Sequence, residues 1–257
     1  MKLNIVPART GLTWFKLGLQ TFGRQPLAMA GLFFMYLAAA SVLSMLPGVG
    51  AVLALAIVPA ATLGLMAATR EATGGKFPMP SILVSAFRAG RQRLRAMLML
   101  GAIYAAACIL ITLFAQWIAP LPEGTGQEVM LSDEFRLSMT VTLLLYLPVS
   151  VAFWHSPALV HWYGVSPLKS LFFSLIAVLR NTSAFLVYGA AWMGFFMVIS
   201  LIMTTVATLL GGSAAVGTIM LPTALLLASM FITSVYFTFR DSFVANSEPI
   251  AEPGETP

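Results

Sequence analysis

The sequence predicts an all-α integral membrane protein: six transmembrane helices plus three interfacial amphipathic helices, arranged as a threefold divergent internal repeat. Three observations predict it. Of the 257 residues, 59% are apolar and 9% charged, against about 25% charged and roughly 45–50% apolar in soluble domains. Six stretches, 26–46, 51–69, 96–118, 137–154, 183–210 and 217–239, hold no Asp, Glu, Lys, Arg or His. With six crossings and both ends on one side, the segments 1–25, 70–95, 155–182 and 240–257 carry 13 of the 14 Lys and Arg.

The first 25 residues spread Lys2, Arg9, Lys16 and Arg24 along a stretch with no apolar core, so they do not read as a cleavable signal. Within them, "LTWFKLGLQTFGR" at 12–24 places Lys16, Gln20 and Arg24 on one helical row. Leu12, Trp14, Phe15, Gly18, Leu19 and Phe22 share the opposite arc, with Leu17 the exception. That pattern predicts an amphipathic helix in the membrane plane. The first span, 26–46, has 21 residues, about 31 Å at ~1.5 Å per residue, which matches a bilayer core of about 30 Å. The second, 51–69, contains Val58-Pro59 and ends in Arg70-Glu71. Outer-membrane strands are excluded because the runs lack two-residue alternation.

The stretch "SAFRAGRQRLRAMLML" at 85–100 opens the second unit. On a helical wheel Leu83, Phe87 and Leu94 form one stripe with Gly90 beside it; Arg88, Arg91 and Arg95 form the next, with Arg93 on the far flank. Arginines beside an apolar stripe keep their heads at lipid phosphates while their stems stay buried, so a membrane-surface helix is expected and no nucleic-acid partner. The third span, 96–118, holds the only cysteine, Cys108, which leaves no disulfide and no thiolate metal site. An acidic loop, 119–136, precedes the fourth span. That span carries Leu147-Pro148 and ends in "WHSPALVHWYG". His155 and His161 lie six residues apart, about 120° on a helix, and with Trp154, Trp162 and Tyr163 they suit an interfacial aromatic belt.

The third short helix, "SPLKSLFFSLIAVLRN", has Lys169 and Arg180 at its ends and only serines as polar residues between, so it is expected to sit deeper. The sixth span carries Leu221-Pro222 and ends in Arg240-Asp241. Pro59, Pro148 and Pro222 mark expected helix kinks, since proline frees a backbone carbonyl within the span. The repeat divides one polytopic domain, 1–244, into units 1–79, 80–164 and 165–244. The remaining 245–257, acidic and proline-rich, is expected to be a disordered tail.

Orientation follows from the basic residues. Cytoplasmic loops are enriched in Lys and Arg, so both termini are expected in the cytoplasm of a bacterial inner-membrane protein. The opposite side carries only Arg136, beside Glu123, Glu128, Asp133 and Glu134. Small residues at Gly101 with Ala105, and at Gly189 with Ala190 and Gly194, mark expected close helix contacts.

Chemistry is sparse. Nucleotide-binding loops, G-x-S-x-G and H-E-x-x-H are absent from the sequence. Within the spans stands no Asp, Glu or His of the kind that marks ion-coupled transport. No catalytic residue, cofactor or metal is expected. The favoured role is non-catalytic, membrane-organising or partner-binding. Lys16, Arg24, Arg88, Arg91, Arg93, Arg95, Lys169 and Arg180 would meet anionic lipids at the cytoplasmic face of the bilayer, or an unidentified protein partner. The alternative is a permease for a small or lipophilic solute, hinged at the prolines, with Arg70-Glu71 and Arg240-Asp241 as ion pairs at its cytoplasmic mouth.

The stretches "LNIVPARTGLTWFKLGLQTFGRQPLAMAGLFFMYL" and "PAATLGLMAATREATGGKFPMP" resemble a family of uncharacterised bacterial multi-pass inner-membrane proteins of beta-proteobacterial type. The likeness covers the chain except its C-terminal tail and implies an inner-membrane location. More distantly, the chain resembles the repeat membrane domain fused to glycerophosphodiester phosphodiesterases, though no phosphodiesterase domain stands in this sequence.

Overall fold

A computed structural model describes residues 2–124 and 126–244, excluding the side chains of Gln127, Ser213 and Ala214. The expected tail, 245–257, lies outside the described residues. In chain order come β1 (Lys2–Leu3), α1 (Thr10–Arg24), α2 (Pro26–Ser44), α3 (Gly50–Ala56) and α4 (Val58–Thr73). A 3-10 helix (Pro80–Phe87), α5 (Arg91–Ile118), α6 (Gln127–Leu131), α7 (Asp133–Phe153), α8 (Ser156–Tyr163) and α9 (Pro167–Arg180) follow. The last two helices are α10 (Thr182–Gly212) and α11 (Ala215–Ser242), before β2 (Phe243–Val244). The fold is all-α, and six spans are long and apolar enough to cross a membrane: α2, α3–α4, α5, α7–α8, α10 and α11.

Local chemistry sets the boundaries. Pro26 and Pro167 open α2 and α9, where a missing N–H costs nothing. Ser132 caps α7 by accepting from Phe135 N–H at 3.1 Å, with Asp133 and Glu134 in the positively polarised first turn. Gly164, at φ +67°, closes α8 with a left-handed cap.

The helix expected across 83–95 is divided. The 3-10 helix stops at Phe87, and Gly90 at φ +93° starts α5 afresh. The apolar stripe is therefore divided, Leu83 and Phe87 on the 3-10 helix and Leu94 on α5, whereas Arg91 and Arg95 both stand on α5 and Arg88 lies in the link. Pro59 sits at the start of α4, beside the break at Ile57. Pro148 and Pro222 lie inside α7 and α11. The chain breaks instead at Trp154–His155, ahead of Pro157, and at Gly211–Gly212.

Packing concentrates at the end of the bundle where β1 and β2 pair antiparallel, Lys2 opposite Val244 and Leu3 opposite Phe243. Both ends of the described chain therefore lie together. α1 crosses α10 and α11 through Gly11, Trp14 and Gly18, all buried. A Cβ on Gly11 would strike the Ala184 carbonyl, and one on Gly18 would strike Ser234. Trp14 is fully buried beside Phe185 and Tyr188. Lys16, Gln20 and Arg24 stay exposed. The apolar seam of α1 is thus satisfied by protein, and the half-exposed Phe15, Leu17 and Leu19 remain beside it. In α9 the arrangement is inverted: Ser170, Ser174 and Ala177 face the bundle, while Leu168, Phe172 and Leu179 point outward. Gly101 allows α5 onto the Ala56 carbonyl, whereas Gly189 and Gly194 face open space in the single chain.

Candidate functional site

The basic end of the bundle gathers most of the side chains singled out in the sequence. Lys16, Arg24, Arg88, Arg91, Arg95, Lys169 and Arg180 are exposed, and Arg93 is half-buried. Arg70 and Arg240, from the ends of α4 and α11, line one cavity of about 210 Å³ with Trp162 and Tyr236. The Arg70 guanidinium lies over the Trp162 ring, 5.6 Å from its centroid, a contact that stabilises a cation by about 0.5–1 kcal/mol at an exposed site. Arg240 pairs with Asp241 at 2.7 Å and lies over Phe237 at 5.0 Å. Among the described residues the ion pairs are Arg240–Asp241 and Arg136–Asp133, so neighbouring Arg70 and Glu71 are not paired with each other.

A polar lattice holds this end in shape. The Asn4 side chain donates to the Asp241 carbonyl (2.8 Å), and Val6 N–H donates to Asn181 Oδ1 (2.8 Å). Asn181 Nδ2 donates back to the Asn4 carbonyl (3.0 Å), and Trp14 Nε1–H donates to Asp241 Oδ2 (2.9 Å). Asp241 thus holds α1 and Arg240 through its carboxylate and the N-terminal segment through its backbone carbonyl.

His155 departs from the expected aromatic belt: it is wholly buried, ringed by Phe185, Phe239 and Phe243. The break after Phe153 turns it inward. There its backbone N–H donates to Ser174 Oγ (3.0 Å), and its Nε2 lies 3.1 Å from Thr238 Oγ1. Trp154 Nε1–H donates to the same threonine oxygen at 3.0 Å. Among the described residues no group of three or more His, Cys, Asp or Glu gathers as metal ligands.

Deeper in the bundle, a cavity of about 200 Å³ lies between α4, α5, the α7–α8 break and α11. Its walls include Pro59, Thr62, Ser150, Trp154 and the contacting hydroxyls of Tyr104 and Tyr146. Pro148 is flanked by two of these lining residues, Tyr146 and Ser150; Pro222 borders a different part of the molecule. The sequence left both tyrosines unremarked. Their signal was position: each falls near the middle of its span, where a phenol needs a partner because lipid supplies none. Asn181 was likewise passed over, although a buried amide at a helix junction requires bonds on both its oxygen and its nitrogen.

Six apolar crossings and a polar, cation-rich end define a polytopic α-helical membrane protein. Compared with known proteins, the chain is 35% identical over 265 residues to a probable inner membrane protein of Burkholderia thailandensis, covering 99% of this chain and 96% of that one. The chain belongs to that family of inner membrane proteins. No protein-family model matches it, and no solved structure does.

Proposed function

We propose that this is a non-catalytic membrane-organising protein whose basic end faces the cytoplasm and engages anionic lipids. The carrying observation is that Arg88, Arg91, Arg95, Lys16 and Arg24 stand exposed at one end of the bundle and outside the ion pairs found among the described residues. Each such cation near an anionic surface contributes about 1 kcal/mol of attraction. The order short helix, span, span runs three times along the chain and supports units 1–79, 80–164 and 165–244. With that repeat goes the distant likeness to the domains fused to glycerophosphodiester phosphodiesterases.

The test is extraction into polymer nanodiscs without detergent, followed by native mass spectrometry of what stays bound. Anionic lipid enriched over the surrounding membrane is expected, with the enrichment lost when Arg88, Arg91, Arg93 and Arg95 are changed together to Gln. Lipid in bulk proportions on both proteins would refute the role. A co-purified protein at fixed stoichiometry would identify a partner at the same face.

The central cavity favours a second role, a permease for a lipophilic solute. Pro59 lies in its wall beside the α3–α4 break. If Pro59→Ala leaves cysteine labelling of Thr62→Cys unchanged from both sides of the membrane, the hinge is not used.

A further inference from the structure

Beside the Arg70–Trp162 contact lies a second, larger cavity of about 390 Å³, between α4, the 3-10 helix and α8. The sequence builds it in steps. α4 ends at Gly74–Gly75, and Gly75, at φ +77°, turns the chain so that Lys76 N–H donates back to the Glu71 carbonyl at 3.0 Å. Lys76 is thereby folded against the last turn of α4, next to Arg70, and Gln25 Nε2 donates to its carbonyl at 3.2 Å. Gly64 then lets the 3-10 helix lie directly on α4: a Cβ there would come within 2.7 Å of the Leu83 backbone. That contact sets Ser85 across from His161 and Trp162 of α8.

Four donors converge. Arg70 and Lys76 bring charge, and neither belongs to an ion pair among the described residues. Ser85 Oγ and His161 Nδ1 are buried atoms with no hydrogen-bond partner among them. A buried hydroxyl or imidazole nitrogen without a partner costs about 1–3 kcal/mol, a cost that a bound acceptor would remove. Arg93, at the start of α5, also acts electrostatically on His161. Glu71 lines the same cavity, so two cations and one carboxylate leave a single net positive charge. That suits a monoanionic phosphodiester better than a dianionic phosphate. The segment supplying Lys76 and Ser85 meanwhile exposes Phe77 at 62%, Met79 at 60%, Val84 at 41% and Phe87 at 38%. A polar cation pocket edged by exposed apolar side chains has the complementarity of an amphiphile.

We infer that the cavity bounded by Arg70, Lys76, Ser85 and His161 seats the phosphodiester of one phospholipid headgroup, with its acyl chains along Phe77, Met79, Val84 and Phe87. The inference rests on the lipid-engaging role proposed above and gives it a built site. Charge-assisted bonds from Arg70 and Lys76 would hold the phosphate oxygens, with Ser85 and His161 donating the neutral bonds.

The test uses the full chain, delipidated in micelles, titrated with phosphatidylglycerol or phosphatidylcholine and followed by native mass spectrometry. One lipid of either kind is expected to bind first. Its apparent affinity should fall about tenfold in R70Q/K76Q and a few-fold in S85A, as expected for loss of charge-assisted and neutral bonds respectively. Thermal unfolding of each variant reports whether the fold is intact; if the double variant unfolds early, S85A carries the decision. R88Q/R91Q/R95Q, which spares Arg93 beside His161, should keep this first lipid and lose only additional phosphatidylglycerol. Unchanged first-lipid binding in the folded R70Q/K76Q or in S85A overturns the site. Additional phosphatidylglycerol retained in the arginine variant as in the unaltered chain refutes the broader role while leaving the first-lipid result to stand alone. Displacement of the lipid by millimolar glycerophosphoglycerol would assign the cavity to a soluble phosphodiester and overturn the lipid assignment.

Discussion

The two ends of the bundle are built on different principles. At the end where β1 meets β2, Trp14, His155, Asn181, Trp192 and Phe237 are fully buried, and hydrogen bonds link segments more than 170 residues apart in sequence. At the other end Leu113, Trp117, Leu143, Leu209 and Leu210 are all at least 60% exposed. Both ends are rich in large apolar side chains, so hydrophobicity does not separate them. Polar groups do. Lipid tails solvate leucine as well as another leucine does, which leaves little drive for apolar side chains to find each other. An indole N–H, an amide or a serine hydroxyl finds no partner in lipid and must find one in protein. The tight end is where Ser174, Asn181, Ser234, Thr238 and Asp241 are available to the tryptophans and the backbone.

The largest effect that would test this contrast is at Trp14. Trp14→Ala removes a fully buried indole and its bond to Asp241, and should cost about 3–5 kcal/mol, read as a large drop in thermal midpoint in micelles. Trp117→Ala, at a side chain 78% exposed, should shift the midpoint by less than ~0.5 kcal/mol. Equal losses would mean that both ends carry the fold. Gly18→Leu belongs with the first group, because no rotamer clears Ser234 at the α1–α11 crossing.

A middle-sized effect is expected at Asn181. Asn181→Ala leaves Val6 N–H and the Asn4 carbonyl without their partner, and should cost about 1–3 kcal/mol. Its signature is local: protease access and amide exchange should rise in residues 2–9 before the spans loosen. A global loss with no such opening would show that Asn181 acts through α9 and α10 instead. At the Gly211–Gly212 turn, Gly212 holds φ +63° and ψ −150°, a region that L side chains enter at a cost of about 1–3 kcal/mol. Gly212→Ala should lower the midpoint accordingly, whereas Gly189→Ala, inside a helix and in open space, should hold or slightly raise it.

The spans and their number were legible because crossing a bilayer demands a run of about 20 apolar residues, and that demand is written locally. Local pattern failed wherever a partner distant in sequence decided the outcome. His155 looked interfacial among its neighbours, and Ser174 and Thr238 drew it into the core. The 80–96 stretch has a helical stripe on paper, yet Gly90 ends that helix and Gly64 of α4 offers the 3-10 segment a seat instead. Of the prolines that advertised kinks, Pro59 stands beside the break at Ile57, while the breaks at 154–155 and 211–212 fall away from Pro148 and Pro222. In the candidate site, Arg70 and Arg240 were visible as charges at span ends. Ser85 and His161 were not visible as donors, since their want of partners exists only after α4, α8 and the 3-10 helix have packed.

The smallest expected effect is at the acidic-loop end, and it sharpens the contrast from below. Arg136 pairs with Asp133 one turn away on α7, with both side chains at least 70% exposed. Exposed pairs of this kind stabilise by about 0–1 kcal/mol, and salt screens them. Arg136→Gln should therefore move the thermal midpoint by an amount near the error of the measurement at physiological salt. Asp241→Asn at the basic end should cost clearly more, because that carboxylate accepts from Trp14 and pairs with Arg240. A midpoint that falls further for Arg136→Gln than for Asp241→Asn would place the stabilising electrostatics at the wrong end, and the division between a polar, specified end and a lipid-solvated one would have to be abandoned.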